Sequence, residues 1–175
     1  MEIREARPGE YDAVAELTVA AYRALPGAHL SGGYEGRLRD VAARAATAVV
    51  LVAIEDDAIV GAVTYVPGPV SPWAELLQEG DAGVRMLAVP PAAQRRGIGT
   101  ALMRACIERA GREGRHRVCL HTTPWMTAAQ RTYERLGFRR DPGRDWVPVA
   151  GVPLLGFVRD LASTRAEGQP QGGDG

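Results

Sequence analysis

The chain has 175 residues, 46% of them hydrophobic and 24% charged, the size and composition of one folded domain able to bury a sizeable core. Lys+Arg and Asp+Glu are both 21, so the formal net charge is zero at pH 7 and there is no broad electrostatic footprint for nucleic acid or an anionic membrane. Cys106 and Cys119 lie in apolar segments without metal-ligand spacing, which argues against a metal site or a disulfide framework and reads as buried reduced thiols. The N-terminus, MEIREARPGEYD, lacks an apolar signal core and no apolar run reaches bilayer length, so a cytoplasmic protein is expected.

In chain order, residues 2–7 alternate and stop at Pro8-Gly9, a short strand. Residues 10–23 carry Val14, Leu17 and Ala20-Ala21 at helical spacing. A loop over 27–33 leads to a second helical stripe, Leu38, Val41, Ala42 and Ala45, within 34–46. Strands at 48–55 and 59–66 flank Asp56-Asp57-Ala58 as an antiparallel hairpin. Residues 67–81, PGPVSPWAELLQEGD, form a connection of the length that compact domains keep for functional or mobile loops.

Residues 84–89 form a strand ended by Pro90-Pro91. Ile98, Ala101, Leu102, Ala105 and Cys106 then make the inner face of a helix over 98–110, stopped by Gly111. A strand at 117–122 precedes a helix at 127–136 that Gly137 closes. Two last strands, from Phe138 onward and at 152–161, surround a loop with Pro142-Gly143. The domain therefore spans 1–161, and the Gly/Gln/Ser-rich tail at 162–175 is expected to be disordered. Strand–helix–strand at 84–122 requires a right-handed crossover between parallel strands, whereas the hairpin requires antiparallel pairing, so the sheet is mixed.

The chemistry concentrates in Gln94-Arg95-Arg96-Gly97-Ile98-Gly99. Gly97 and Gly99 open the 98–110 helix, where backbone N–H groups lack intrahelical partners. Missing side chains let another group approach that backbone. The helix dipole favours an anion there, and Arg95 and Arg96 add formal charge. A phosphate or pyrophosphate fits such a seat. The third glycine of a dinucleotide-binding fingerprint is absent, and so is the phosphate-loop lysine.

The run resembles the (Q/R)-x-x-G-x-(G/A) signature of the GNAT superfamily of N-acyltransferases, which binds the pyrophosphate of acetyl-coenzyme A. Met86-Leu87-Ala88-Val89-Pro90 resembles the strand that precedes it, and AQRTYERLGF at 129–138 resembles the family's second signature, A-x-x-x-Y-x-x-x-G-F. The resemblance covers 1–161 and implies an α/β fold, a mixed sheet of about seven strands with a splayed parallel pair and four helices. It implies acetyl-CoA as cosubstrate, no metal, and direct attack by a primary amine in a ternary complex. Leu87, Ala88 and Val89 would meet the pantetheine arm on a bulged strand. Gln94, Arg95, Arg96, Gly97, Ile98, Gly99 and Thr100 would hold the pyrophosphate.

By the same resemblance, the backbone N–H of Val89 would polarise the thioester carbonyl. Tyr133 would protonate the departing sulfur; on periodicity alone it is a core tyrosine. The base stays open. Relatives often place a carboxylate near the start of the strand, where this chain has Gly83 and Val84, with Glu79 and Asp81 just upstream. His121 is the other candidate, equally readable as a hydrogen-bonded structural histidine. Met126 stands where relatives often carry an Asn that contacts the cofactor.

Trp73 and Trp125 lie in connecting loops, either walling an acceptor pocket or covering the core edge. That pocket would draw on 24–34, 67–81 and 139–152, none with a dense acidic cluster, for a small-molecule amine or a peptide amine. The alternative is a non-catalytic acyl-CoA-binding sensor or interaction domain. Residues 138–161 are where the resemblance would put a homodimer contact.

Overall fold

A computed structural model describes residues 1–25 and 33–161. The predicted 27–33 loop (save Gly33) and the tail at 162–175 lie outside the described residues. The elements are β1 (Glu2–Glu5), α1 (Tyr11–Arg23), α2 (Tyr34–Arg39), α3 (Val41–Thr47), β2 (Val49–Glu55), β3 (Ala58–Val66), β4 (Asp81–Ala88), α4 (Ile98–Arg112), β5 (Arg117–Thr122), α5 (Thr127–Arg135), β6 (Arg139–Arg140), β7 (Trp146–Val149) and β8 (Val152–Asp160). They build an eight-stranded sheet in the order β1-β2-β3-β4-β5-β8-β6, with β7 paired to β8. The single parallel contact along that order joins β4 to β5, across the α4 crossover; all other pairings are antiparallel. Among the described residues, no helix is long and apolar enough to cross a membrane.

Two-residue periodicity divides the core between the sheet faces. Leu51, Ala53, Val63, Tyr65, Ala82 and Val84 pack under α4 with Ile98, Leu102 and Cys106. Val50, Val52 and Ala62 turn the other way, onto Val14 and Ala15 of α1 and Val41 of α3. Burial on both faces explains why the 48–55 run is apolar throughout rather than alternating. Cys106 and Cys119 are both free thiols inside this core, and burial pushes each up to about 12.

Several boundaries differ from the expectation. The predicted 34–46 helix is interrupted at Asp40, whose carboxylate accepts from the Ala43 N–H at 3.0 Å and so caps α3 as a fresh start. β4 begins at Asp81, not Val84, because Arg144 neutralises that buried carboxylate from another part of the chain (Nη2–Oδ2 2.8 Å). Beyond Phe138 a 3-10 turn at Pro142–Arg144 separates two short strands, giving eight strands in all.

The turn at 141–144 packs directly on β8. A Cβ on Gly156 would stand 2.6 Å from the Arg144 Cβ and 2.9 Å from the Asp141 carbonyl oxygen. The Gly156 N–H also donates to Asp145 (2.8 Å), and its carbonyl accepts from the Asp141 N–H (2.9 Å), so the strand cannot simply move aside. Gly156→Ala is therefore expected to lower unfolding stability by about 2 kcal/mol, read as a shift of the urea midpoint at unchanged slope.

Candidate active site

The glycine turn enters α4 through two left-handed residues, Arg95 at φ +63° and Gly97 at φ +81°. The space beyond the Gly97 Cα is open for 4 Å, and no side chain caps the helix. Helical bonding begins with the Ala101 N–H donating to the Gly97 carbonyl at 2.9 Å, so the amides of Ile98, Gly99 and Thr100 have no intrahelical acceptor. The side chains of the turn differ in what they can offer. Ile98 is fully buried and contributes only its amide. Gln94 donates from Nε2 to the Val89 carbonyl at 3.1 Å and ties the turn to the end of β4. Arg96 is ion-paired to Glu55 at the end of β2. Arg95 is exposed and has no carboxylate partner among the described residues.

The parallel ladder runs from Asp81↔Arg117 to Val84↔Leu120 and stops there. The cause lies on the other edge of β4. Against β3, Thr64 faces Arg85 but Ala62 faces Ala88, so β4 holds one extra residue, a bulge with Met86 at φ +52°. Beyond it, 85–88 leave β5, while β5 continues on β8 as far as Thr122↔Leu155. A wedge opens between the two parallel strands. Leu87 is half-buried and Ala88 fully buried, so both side chains serve packing, and neither residue pairs with β5.

Tyr133 comes to this region from α5. Its ring packs at 6.1 Å on Phe138 and 6.2 Å on Phe157, and burial pushes its hydroxyl up to about 12. That hydroxyl has no hydrogen-bond partner among the described residues. At the C-terminal end of β5, the Thr122 and Thr123 hydroxyls are buried without partners. Buried polar groups are rarely left so, except where a water or ligand completes them.

On the face covered by α1 and α2, Arg85 and His121 are the first residues past the last rung of the ladder. Both line a small cavity with Trp73, Glu75 and Leu77 of the long loop. Glu75 meets the Arg85 guanidinium at 2.6 Å. Trp73 is nearly buried, with the Arg37 guanidinium 5.2 Å above its ring, so it walls this cavity; Trp125 is exposed. The His121 Nε2 stands 2.8 Å from the Arg144 carbonyl oxygen, which can only accept, so Nε2 carries the proton and Nδ1 keeps a lone pair. Burial lowers the pKa of this imidazole below 6.5, against the opposing pull of the Arg144 carbonyl and Glu75.

The other carboxylates considered for the base lie elsewhere. Asp81 sits at the closed end of the ladder, bound to Arg144 and accepting from the Gln78 N–H at 3.0 Å. Glu79 is exposed. At Gly83 the room for a side chain is taken by Leu77, whose Cδ1 lies 3.1 Å from where a Cβ would be. Met126 precedes α5 without a side-chain cap. The sequence reading missed Glu75, Arg85 and Arg144; a lone arginine inside VRMLAV and an acid within the long loop were the available signals, while nothing local marked Arg144.

The profile of the Acetyltransferase (GNAT) family matches residues 12–138, and the chain belongs to that family. A search of curated protein sequences finds no match. Among solved structures, an acetyltransferase of the GNAT family from Staphylococcus aureus Mu50 superposes with TM-score 0.73 at 16% identity, covering 92% of this chain and 99% of that one. YncA from Salmonella typhimurium, solved with its cofactor acetyl-CoA, gives 0.71 at 22% identity, with 94% and 96% covered. A GNAT family acetyltransferase from Brucella melitensis in complex with acetyl-CoA gives 0.61 at 26% identity, with 93% and 91% covered. The mixed sheet with its splayed parallel pair is the GNAT fold, and the chain is of the acetyltransferase class.

The state of His121 has a measurable consequence. The unfolded chain protonates it near 6.5 and the folded protein at lower pH, so its contribution to stability is intact above about 6.5 and is lost as pH falls through the folded midpoint. Histidine-selective NMR titration should place that midpoint below 6.5, and His121→Asn should flatten unfolding stability between pH 7 and 5.

Proposed function

We propose that this protein is an N-acetyltransferase that moves an acetyl group from acetyl-CoA to a primary amine of a small-molecule or peptide acceptor, by direct attack in a ternary complex. The observation that carries the reading is the arrest of the β4–β5 ladder at Val84↔Leu120 beside an uncapped α4 N-terminus. The residues present fit the coenzyme: free amides of Ile98, Gly99 and Thr100, open space over Gly97, and an Arg95 without a carboxylate partner among the described residues suit a diphosphate. The main chain of Leu87, Ala88 and Val89 suits an extended, amide-bearing arm laid along β4. Gln94 and Arg96 serve this site by holding the turn, through Val89 and Glu55.

Bound acetyl-CoA would supply an activated carbonyl and a thiolate leaving group. The Val89 N–H is the backbone donor assigned to the carbonyl oxygen, where negative charge develops. Tyr133 Oη is assigned as the proton donor to sulfur. Burial keeps it protonated, so it would hold a proton for the departing sulfur. His121, neutral with Nδ1 open, is assigned as the group that takes the amine proton, and the Arg144 carbonyl orients it.

Calorimetry should detect coenzyme A binding, and thiol release should follow on addition of an amine. Tyr133→Phe is expected to lower kcat by roughly 10²–10⁴-fold while leaving acetyl-CoA affinity within about twofold. Saturable coenzyme binding with no thiol release on any amine would instead identify an acyl-CoA sensor, and no binding would reject both.

A further inference from the structure

Arg85 is the lone charged side chain of VRMLAV and stands at the mouth of the wedge, half-buried. Its Nη1 lies 2.6 Å from Glu75 and donates to the Trp73 carbonyl at 3.1 Å. Its Nε and Nη2 make no hydrogen bond among the described residues. Glu75 is itself shared, with the Arg37 Nη2 at 3.8 Å. Close by, Arg44 is 1% exposed, and its Nη1 donates to the carbonyls of Arg37 and Leu38 while its Nε is buried without a partner. No carboxylate pairs with Arg44 among the described residues. Two guanidinium groups, Arg85 and Arg37, thus share the Glu75 carboxylate on this face of the sheet, with the buried Arg44 near Arg85.

Beside His121 stands a further unfilled donor. The Trp146 ring meets the imidazole edge-on at 6.4 Å, and its indole N–H, which can only donate, is buried without a partner. A largely buried guanidinium with unfilled N–H donors, such as Arg85, is costly unless an anionic oxygen completes it. Guanidinium is also the group best shaped to grip a carboxylate through two parallel N–H bonds.

We infer that Arg85 forms a carboxylate subsite, and that the acceptor is an amine carrying a carboxylate close to its nitrogen, an α-amino acid rather than a polyamine or a peptide N-terminus. Carboxylate on Arg85 leaves the amino group toward His121 and the wedge. The guanidinium groups of Arg85 and Arg37 then favour the uncharged amine, the form that can attack. This inference rests on the acetyl-transfer reading.

The test compares free L-amino acids with their amides and their decarboxylated amines in a thiol-release assay. The wild-type enzyme should show kcat/KM at least about tenfold higher for the acids. Arg85→Gln and Arg85→Lys should raise KM for the acids by roughly 10–100-fold and close the gap to the amides, with acetyl-CoA affinity by calorimetry retained as the check on folding. Amides or simple amines turning over as well as acids in the wild type would overturn the subsite while leaving acetyl transfer standing. Should coenzyme bind but no amine release thiol, calorimetry of an amino acid against its amide decides separately: acid-only binding lost in Arg85→Gln supports the subsite, and no binding overturns it.

Discussion

The structure turns on one interrupted hydrogen-bond ladder. Parallel strands inside a two-faced sheet normally pair along their whole length, because an unpaired backbone amide in the interior is costly. Here a single extra residue at Met86 breaks that rule just past Val84↔Leu120. The bulge costs left-handed strain at a non-glycine residue and leaves polar main chain facing a cleft. Such an arrangement persists only where the surroundings over-determine it. β4 is held on one side by β3 and below by α4, while β5 is held by β8, so the strands part without either losing its outer partner.

The proposed site gathers where the strands part. α4 starts beside the end of β4, tied to it by Gln94, and brings its orphan amides. α5 delivers Tyr133 between Phe138 and Phe157. From the opposite face the long loop brings Glu75 and Trp73 against Arg85. One residue holds this last assembly together. Arg144 is buried, binds Asp81 and Asp141, and donates to the Leu76 carbonyl at 2.8 Å, while its own carbonyl accepts the hydrogen bond from His121 Nε2–H. It joins the closed end of the ladder, the 67–80 loop and the imidazole tautomer. Removing its side chain would leave Asp81 charged and dry, the costly way to break a buried pair.

The fold was legible because its signals are local. Helical and two-residue periodicities, the hairpin at Asp56-Asp57, and Gly137 as a stop all act within a turn or two of chain, whereas Gly111 does not end its helix: α4 runs through it to Arg112, and the left-handed glycine beyond the helix end is Gly114. Boundaries failed where distant partners intervened: β4 starts earlier because Arg144 neutralises Asp81, and the 34–46 helix breaks because Asp40 caps a new one. Among the site residues, Gly97 and Tyr133 could be read because the glycine turn and the second signature are contiguous motifs. Glu75 and Arg85 could not, since an acid in a loop and an arginine in a strand become a pair only when 67–80 folds back over β4.

The amino-acid sequence by itself determined the family, the crossover of α4 between parallel strands, and an anion-receptive turn opening that helix, because each depends on backbone geometry encoded within a few residues. Only the tertiary structure decided where the ladder stops, which nitrogen of His121 is open, and what charges line the cavity beside it. Those depend on register, burial and through-space pairing between segments as distant as Asp81 and Arg144, and no local pattern records them.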